Sequence, residues 1–224
     1  MPVSGPVTGR AQERLRITEI FYSLQGETRT SGWPTVFIRL TGCPLRCTYC
    51  DTTYAFQGGE WAGLDQILQQ TAEYSAHYVT VTGGEPLAQK SCLSLLTALC
   101  DAGYEVSLET SGAIDISPVD PRVVIVMDLK TPSSGEESKN QYANISHLKP
   151  IDQIKFVIAN QQDYQWSVDI VNKYHLSDKY EVLFSPVQGE LVPRDLAQWI
   201  LDDKLQVRMQ LQLHKILWGD VPGH

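Results

Sequence analysis

The sequence predicts an α/β chain folded as a barrel-like sheet, smaller than the eight-unit form. Three observations predict it. Short β-branched or apolar runs alternate with helical patterns, which favours parallel strands carrying their site at the C-terminal ends. About six or seven such runs occur, with fewer helices between them. The chain has 224 residues, whereas the complete eight-unit barrel typically takes roughly 250.

In order along the chain, residues 1–14 carry Pro2, Gly5, Pro6 and Gly9 and few large apolar side chains, so they read as a loose tail before one domain over 15–224. Leu15 to Leu24 alternates weakly, as a strand or extended entry segment. It runs into the polar turn Gln25-Gly26-Glu27, where glycine allows a close backbone approach. Thr35 to Leu40 is β-branched and aromatic and reads as a buried strand. Arg39 is a charge inside it, either snorkelling at the strand end or offering its fork to a carboxylate. Leu64, Ile67, Leu68 and Ala72 have helical spacing, which predicts a helix over 64–74. Tyr78 to Thr82 is a strand that delivers Gly83-Gly84-Glu85-Pro86. Leu87 to Ala102 reads as one helix stopped by Gly103; Cys92 and Cys100 on it read as small buried groups.

Glu105 to Glu109 and Val123 to Met127 are strands joined by a loop through Ser117 to Pro121. The second is almost continuously apolar, as a strand buried on both faces is. Residues 135–150 are polar and irregular. Gln153 to Ile158 is a strand, 161–175 a helix, and Val182 to Phe184 a strand leading into Ser185. Pro193 suits the first turn of a helix reaching Asp203. Val207 to Leu213 reads as a last strand.

Composition excludes several function classes. The net charge is −8, from 26 acidic and 18 basic side chains, which argues against a broad nucleic-acid or anionic-membrane surface. No apolar run approaches the length of a membrane span, and residues 1–16 lack the apolar stretch of a signal peptide. Five cysteines, clustered three and two, do not read as a disulfide framework. A reducing cytoplasm is the expected setting.

The three clustered thiols, Cys43, Cys47 and Cys50, are spaced C-x-x-x-C-x-x-C. Thiolates select zinc, copper(I) or an iron–sulfur cluster. A closed zinc site wants four ligands, and a cubane cluster usually takes four cysteines; no fourth Cys or His lies near. Three thiolates on four irons leave one iron open to a substrate. Together with Thr82-Gly83-Gly84-Glu85-Pro86 some thirty residues on, the loop resembles the radical S-adenosylmethionine superfamily. The surroundings are more specific. Leu24-Gln25-Gly26-Glu27, Phe37-Ile38-Arg39-Leu40, Cys50-Asp51-Thr52, Glu109-Thr110-Ser111-Gly112 and Gln212-Leu213-His214-Lys215 are together similar to the 7-carboxy-7-deazaguanine synthases, over about residues 17–218.

The resemblance implies a partial, open TIM-type barrel of the reduced β6/α3 kind. It implies a carbon–nitrogen lyase that converts 6-carboxy-5,6,7,8-tetrahydropterin to 7-carboxy-7-deazaguanine with loss of ammonia, toward queuosine and related 7-deazapurines. A 4Fe–4S cluster, S-adenosylmethionine and magnesium (Mg2+) are implied, as are a homodimer and a flavodoxin or ferredoxin as reductant. Carried over by motif, Cys43, Cys47 and Cys50 hold the cluster. Leu24, Gln25, Gly26, Arg39 and Thr82 contact the pterin, and Thr52 offers its hydroxyl to magnesium. Gly84, Glu85, Lys130, Ser133 and Ser185 contact S-adenosylmethionine. Other readings stand beside these: Thr52 as a capping hydroxyl, Glu85 as a helix cap, His214 and Lys215 as structural residues. For the whole chain, the rivals are an activating enzyme that installs a glycyl radical on a partner protein, and a zinc-stabilised binding module.

Overall fold

The computed structural model describes residues 13–219 together with 221 and 223. Residues 1–12 of the expected tail lie outside the described residues, as do Asp220, Pro222 and His224. The chain forms one sheet of nine strands among the described residues, in the order β3-β1-β2-β4-β5-β6-β7-β8-β9. β1 (Arg14–Leu24) lies antiparallel to β2 (Pro34–Leu40) and to β3 (Glu60–Gly63). From β2 the sheet is parallel through β4 (Tyr78–Gly83), β5 (Glu105–Thr110), β6 (Val124–Asp128), β7 (Gln153–Ile158), β8 (Glu181–Pro186) and β9 (Arg208–Met209). The helices are α1 (Leu64–Glu73), α2 (Cys92–Asp101), α3 (Gln161–Tyr174), α4 (Pro193–Asp202) and α5 (Leu213–Trp218). The end strands β3 and β9 do not pair, so this is an open, partial TIM-type barrel.

Side-chain alternation divides the sheet into two faces. Val36, Ile38, Val79, Val81, Val106, Leu108, Ile125, Met127, Ile154, Phe156, Val182 and Phe184 belong to the apolar core beneath the helices. The residues between them face the lumen and are largely polar. At the C-terminal ends this inner row includes Arg39, Thr82, Glu109, Asp128, Lys155 and Ser185. The weak alternation of the first strand has a structural cause: a bulge between Ile17 and Glu19 shifts the pairing. Leu15 and Ile17 lie in the core before it, and Phe21 lines the lumen after it. An extra residue in one strand exchanges its two faces.

Hydrogen bonds bridge the open side of the barrel. The turn after β1 meets β9 and the chain that follows it: Gln210 Nε2 donates to the Gly26 carbonyl at 3.0 Å, Leu213 N–H to the same oxygen at 3.2 Å, and Arg208 of β9 to the Thr28 carbonyl at 3.1 Å.

Three sequence expectations need correction. The helix expected from Leu87 to Ala102 is broken into a 3-10 turn, Pro86–Ala88, and α2, which begins at Cys92. Gln89 is drawn into extended backbone, and its side chain pairs with the Arg16 backbone and the Thr41 carbonyl. The last strand, expected over Val207 to Leu213, shrinks to Arg208–Met209, because Gln210 turns toward Gly26 and α5 follows. The strand β3 was not foreseen; Glu60 and Trp61 are exposed on it, so it carries no buried pattern.

Candidate active site

The C-terminal ends of the strands surround a cavity of about 270 Å³. The cysteine loop forms one wall. Gly42 (φ +97°) and Gly83 (φ +146°) hold backbone that side chains rarely adopt. Gly84 N–H donates to the Leu40 carbonyl at 3.2 Å and Glu85 N–H to the Gly42 carbonyl at 2.9 Å. The Gly-Gly segment therefore packs directly on the entry to the cysteine loop. The far side of the loop is held by the 131–147 stretch, in which the sequence reading singled out only Ser133. Thr48 donates from N–H to the Ser134 carbonyl at 3.1 Å and from Oγ1 to the Ser133 carbonyl at 2.6 Å. Arg46 N–H meets the Glu136 carboxylate, and its guanidinium lies 4.3 Å from the Phe56 ring centre.

Cys43, Cys47 and Cys50 are free, partly buried and all line the cavity. Burial pushes the Cys47 thiol up to about 11 and raises Cys43 and Cys50 too, against the pull of Lys130. A metal centre supplies the positive charge that deprotonates such thiols. Among the described residues no three His, Cys, Asp or Glu side chains converge on a single ion. A cubane suits thiols that stand apart, because each meets a different iron.

The cavity also holds paired charges. Glu27 and Lys155 form a salt bridge on the cavity floor. Burial alone would raise the Glu27 carboxyl, but Lys155 outweighs it and the net shift is down. Glu109 moves the other way: burial and the neighbouring Glu27 raise it. It accepts from Gln25 Nε2 at 3.2 Å and Thr82 Oγ1 at 2.9 Å. Lys130 sits 3.0 Å from Asp128 Oδ2, whose other oxygen is buried without a partner. Arg39 donates from Nε to Glu19 at 2.7 Å and lies over the Phe21 and Tyr54 rings. Among the described residues none accepts from its two terminal nitrogens. Phe21 and Phe37 stack with centres 5.0 Å apart, giving the cavity one flat apolar wall.

Of the residues singled out from sequence, Leu24, Gln25, Gly26, Arg39, Cys43, Cys47, Cys50, Thr52, Thr82, Gly84, Lys130 and Ser185 line this one cavity. Glu85 and Ser133 do not. Glu85 is fully buried; its carboxylate accepts from Leu87 N–H, Thr110 Oγ1, and both the N–H and Oγ of Ser111. Its hydrogen-bonding capacity is spent inside the protein, as a cap of the Pro86–Ala88 turn and a tie to the end of β5. Ser133 is likewise taken up, donating its N–H to Asp163 and accepting at Oγ from Asn160. Thr52 stands at the start of the turn Thr53–Phe56 without capping it; its hydroxyl bonds Asp51 at 2.9 Å.

Sequence reasoning assigned no role to Lys155, although a lone lysine in the otherwise apolar end of β7 was a signal. It also left out Asp128, and it left His214 and Lys215 undecided. The structure puts all four on the cavity wall. His214 packs against Gly26, where an added Cβ would lie 2.9 Å from Nδ1. Lys215 is 3.2 Å from Asp51. Burial alone would raise the Asp51 carboxyl, but Lys215 and the bonds from Gln212 and Thr52 hold it well below the usual range.

The Radical SAM superfamily model matches residues 37–125, the stretch carrying the cysteine loop and the Gly-Gly-Glu-Pro segment. A 7-carboxy-7-deazaguanine synthase of Chlorobaculum tepidum is 46% identical over 208 residues, covering 92% of this chain and 94% of that one. The chain belongs to the 7-carboxy-7-deazaguanine synthase family. A second member, from Methanospirillum hungatei, is 42% identical and covers 91% of this chain and 85% of its own. The crystal structure of QueE from Escherichia coli superposes with a TM-score of 0.74 at 22% identity, over 89% of this chain and 94% of that one. It supports the fold.

The cluster and the S-adenosylmethionine that the Radical SAM superfamily implies fit the residues present. Three cavity-lining thiols are available to a cluster. A buried, unpartnered Asp128 oxygen at the cavity suits a bound molecule carrying donors. The Gly84 backbone stands where a side chain would obstruct the loop. No helix among the described residues is long and apolar enough to cross a membrane.

Proposed function

We propose that this chain converts 6-carboxy-5,6,7,8-tetrahydropterin to 7-carboxy-7-deazaguanine with loss of ammonia, using a 4Fe–4S cluster, S-adenosylmethionine and Mg2+. One observation carries the reading. In a chain 46% identical to a synthase of that name, the three thiols and the polar inner row of the strands share one small cavity. Loss of ammonia accounts for the whole difference in atoms between substrate and product, so the overall conversion needs no external oxidant.

The cluster, with S-adenosylmethionine bound, supplies the radical chemistry that starts the ring contraction. The chain's own residues bind, orient and shield. Cys43, Cys47 and Cys50 hold the cluster; Gly84, Lys130 and Ser185 face the S-adenosylmethionine. Arg39 takes the substrate carboxylate through its unused terminal nitrogens, in the bidentate geometry guanidinium favours. Glu109, Gln25 and Thr82 meet the polar edge of the pterin, and the Phe21–Phe37 wall packs along its face. Thr52 gives one oxygen to magnesium, which characteristically fills its remaining positions with substrate oxygens and waters. Glu27 and Lys155 neutralise each other on the floor, so the site holds charge without exposing it. Orientation of this kind contributes on the order of 7–11 kcal/mol in well-aligned systems.

The cavity favours a small substrate over a protein, against the glycyl-radical reading. The remaining parts of the proposal are a single domain over 15–224, a homodimer in the cytoplasm, and a flavodoxin or ferredoxin as electron donor. The test is turnover of 6-carboxytetrahydropterin by anaerobically reconstituted protein with S-adenosylmethionine, Mg2+ and reductant, reading ammonia and deazaguanine by mass. Cleavage of S-adenosylmethionine without either product would overturn the substrate. Protein that takes up zinc and no sulfide would overturn the reaction class.

A further inference from the structure

Asp51 lies between the last cysteine of the loop and Thr52, and both of its carboxylate oxygens are engaged. Oδ1 meets the Thr52 hydroxyl at 2.9 Å. Oδ2 accepts from Gln212 Nε2 at 3.1 Å and lies 3.2 Å from Lys215 Nζ. The same Gln212 nitrogen also donates to Glu27 Oε1 at 3.1 Å. One side chain from the end of the chain thus ties the metal-side loop to the cavity floor.

The chemistry of the donors fixes the direction of these bonds. An ammonium and an amide nitrogen only donate, so Oδ2 faces them as an acceptor. Oδ1 then takes the hydroxyl proton of Thr52. A hydroxyl has one proton and two lone pairs. With the proton given to Asp51, only lone pairs remain for the cavity, and oxygen lone pairs are what a hard cation binds. Asp51 Oδ2 is itself a poor ligand, because a divalent cation there would lie close to the Lys215 ammonium and be repelled, and Oδ1 is taken by the Thr52 hydroxyl.

We propose that Asp51 orients the Thr52 hydroxyl so that it presents lone pairs to the cation, and that Gln212 and Lys215 hold Asp51 in that role. Asp51 is a positioning residue, acting through Thr52. The proposal rests on the assignment of Thr52 as the magnesium ligand.

The conservative variant Asp51→Asn inverts the arrangement. A carboxamide has one acceptor, which Gln212 and Lys215 claim. Its NH2 then turns to Thr52 and occupies one lone pair, so that the hydroxyl proton competes with the single remaining lone pair for the direction of the cation. Asp51→Ala merely frees the hydroxyl to rotate. Asp51→Asn is therefore worse for cation binding than Asp51→Ala, an order that a purely structural role does not produce.

The probe is Mn2+, titrated into reconstituted holoenzyme with S-adenosylmethionine and 6-carboxytetrahydropterin, without reductant so that nothing turns over. The free-ion paramagnetic resonance signal reports binding. Losing such a supporting residue weakens a metal site by about 10–100-fold. That is the rise in Mn2+ Kd expected for Asp51→Asn, with a smaller rise for Asp51→Ala and iron and sulfide content equal to the parent's. Lys215→Met, remote in sequence from the loop, is expected to weaken Mn2+ binding by a few-fold, and it carries the test if Asp51→Asn fails to take up its cluster. Parental affinity in Asp51→Asn, or in Lys215→Met where that variant stands in, overturns the proposal while Thr52→Ala still abolishes binding. Loss in Asp51→Asn with parental affinity in Thr52→Ala also overturns it, and makes Asp51 the ligand. If the parent itself shows no pterin-dependent Mn2+ binding, the assignment of Thr52 falls first and the proposal falls with it.

Discussion

Gly84 lies against Gly42 with no room between them: a Cβ added to Gly84 would stand 2.3 Å from the Gly42 carbonyl oxygen and 2.8 Å from Cys43 Cβ. The missing side chain is what allows the two sequence motifs to meet. Because the obstacle is backbone, Gly84→Ala has to move the cysteine loop. A displacement near 1 Å at a reacting centre costs about 10²-fold in rate, and that is the expected fall in turnover. Iron and sulfide content, measured alongside, tells whether the loop still takes up a cluster. An Ala variant with parental turnover would show that the contact yields.

Glu85 predicts a stability defect where a cofactor contact would predict a binding defect. Glu85→Ala leaves the Thr110 and Ser111 donors unmet inside the protein, at about 1–3 kcal/mol for each buried group. For a chain of this size each kcal/mol lowers Tm by about 2–4 °C. The expected result is a Tm lower by several degrees, with S-adenosylmethionine affinity changed little in the protein that remains folded. Unchanged Tm with weakened cofactor binding would return Glu85 to the cofactor.

Arg39→Lys should not behave as a conservative change. Lysine keeps the charge and loses the fork, so a single ammonium has to serve both Glu19 and the substrate carboxylate. Losing a charge-assisted bond costs about 1.5–3 kcal/mol, or on the order of 10–150-fold. The loss is expected in kcat/KM for the pterin, with S-adenosylmethionine affinity preserved. Equal loss in both would point to a collapsed wall.

Lys155→Met should reverse the sign of a pH dependence. In the parent, Lys155 holds the Glu27 carboxyl below its ordinary value. That contribution to stability is present above the unfolded carboxylate pKa and is lost as pH falls through the folded one. Without the cation, burial is the strongest remaining influence and raises the Glu27 carboxyl. The variant is then destabilised by about 3–5 kcal/mol near neutral pH, and the deficit shrinks on acidification toward about pH 5. Urea midpoints across that interval check it; a deficit constant with pH would show that the pair is not coupled.

Much of the architecture was readable from local runs and spacing. β-branched, aromatic and apolar runs marked the strands at Thr35 to Leu40, Tyr78 to Thr82 and Val123 to Met127, and helical spacing marked Leu64 to Tyr74; which face of each strand meets the lumen was visible only in the structure. The breaks came where a single side chain outweighed a local pattern. Gln89 left a helical run to pair with Arg16 and Thr41, and Gln210 ended the last strand by turning to Gly26. The bulge at Ile17–Glu19 hid the phase of the first strand, since a strand that exchanges faces has no single alternation to detect.

By itself the sequence determined the cysteine spacing, the Gly-Gly-Glu-Pro segment, most of the strands, and through them the family and twelve residues of one cavity. It carried these because each is local, set by neighbours within one turn or one strand. Tertiary structure alone decided that Glu85 and Ser133 spend their hydrogen bonds within the protein, that Lys155 meets Glu27 across 128 residues of sequence, and that Gln212 and Lys215 reach Asp51. Such pairings join groups distant in the chain through geometry that only the folded chain creates, and no periodicity in either partner's own segment encodes them.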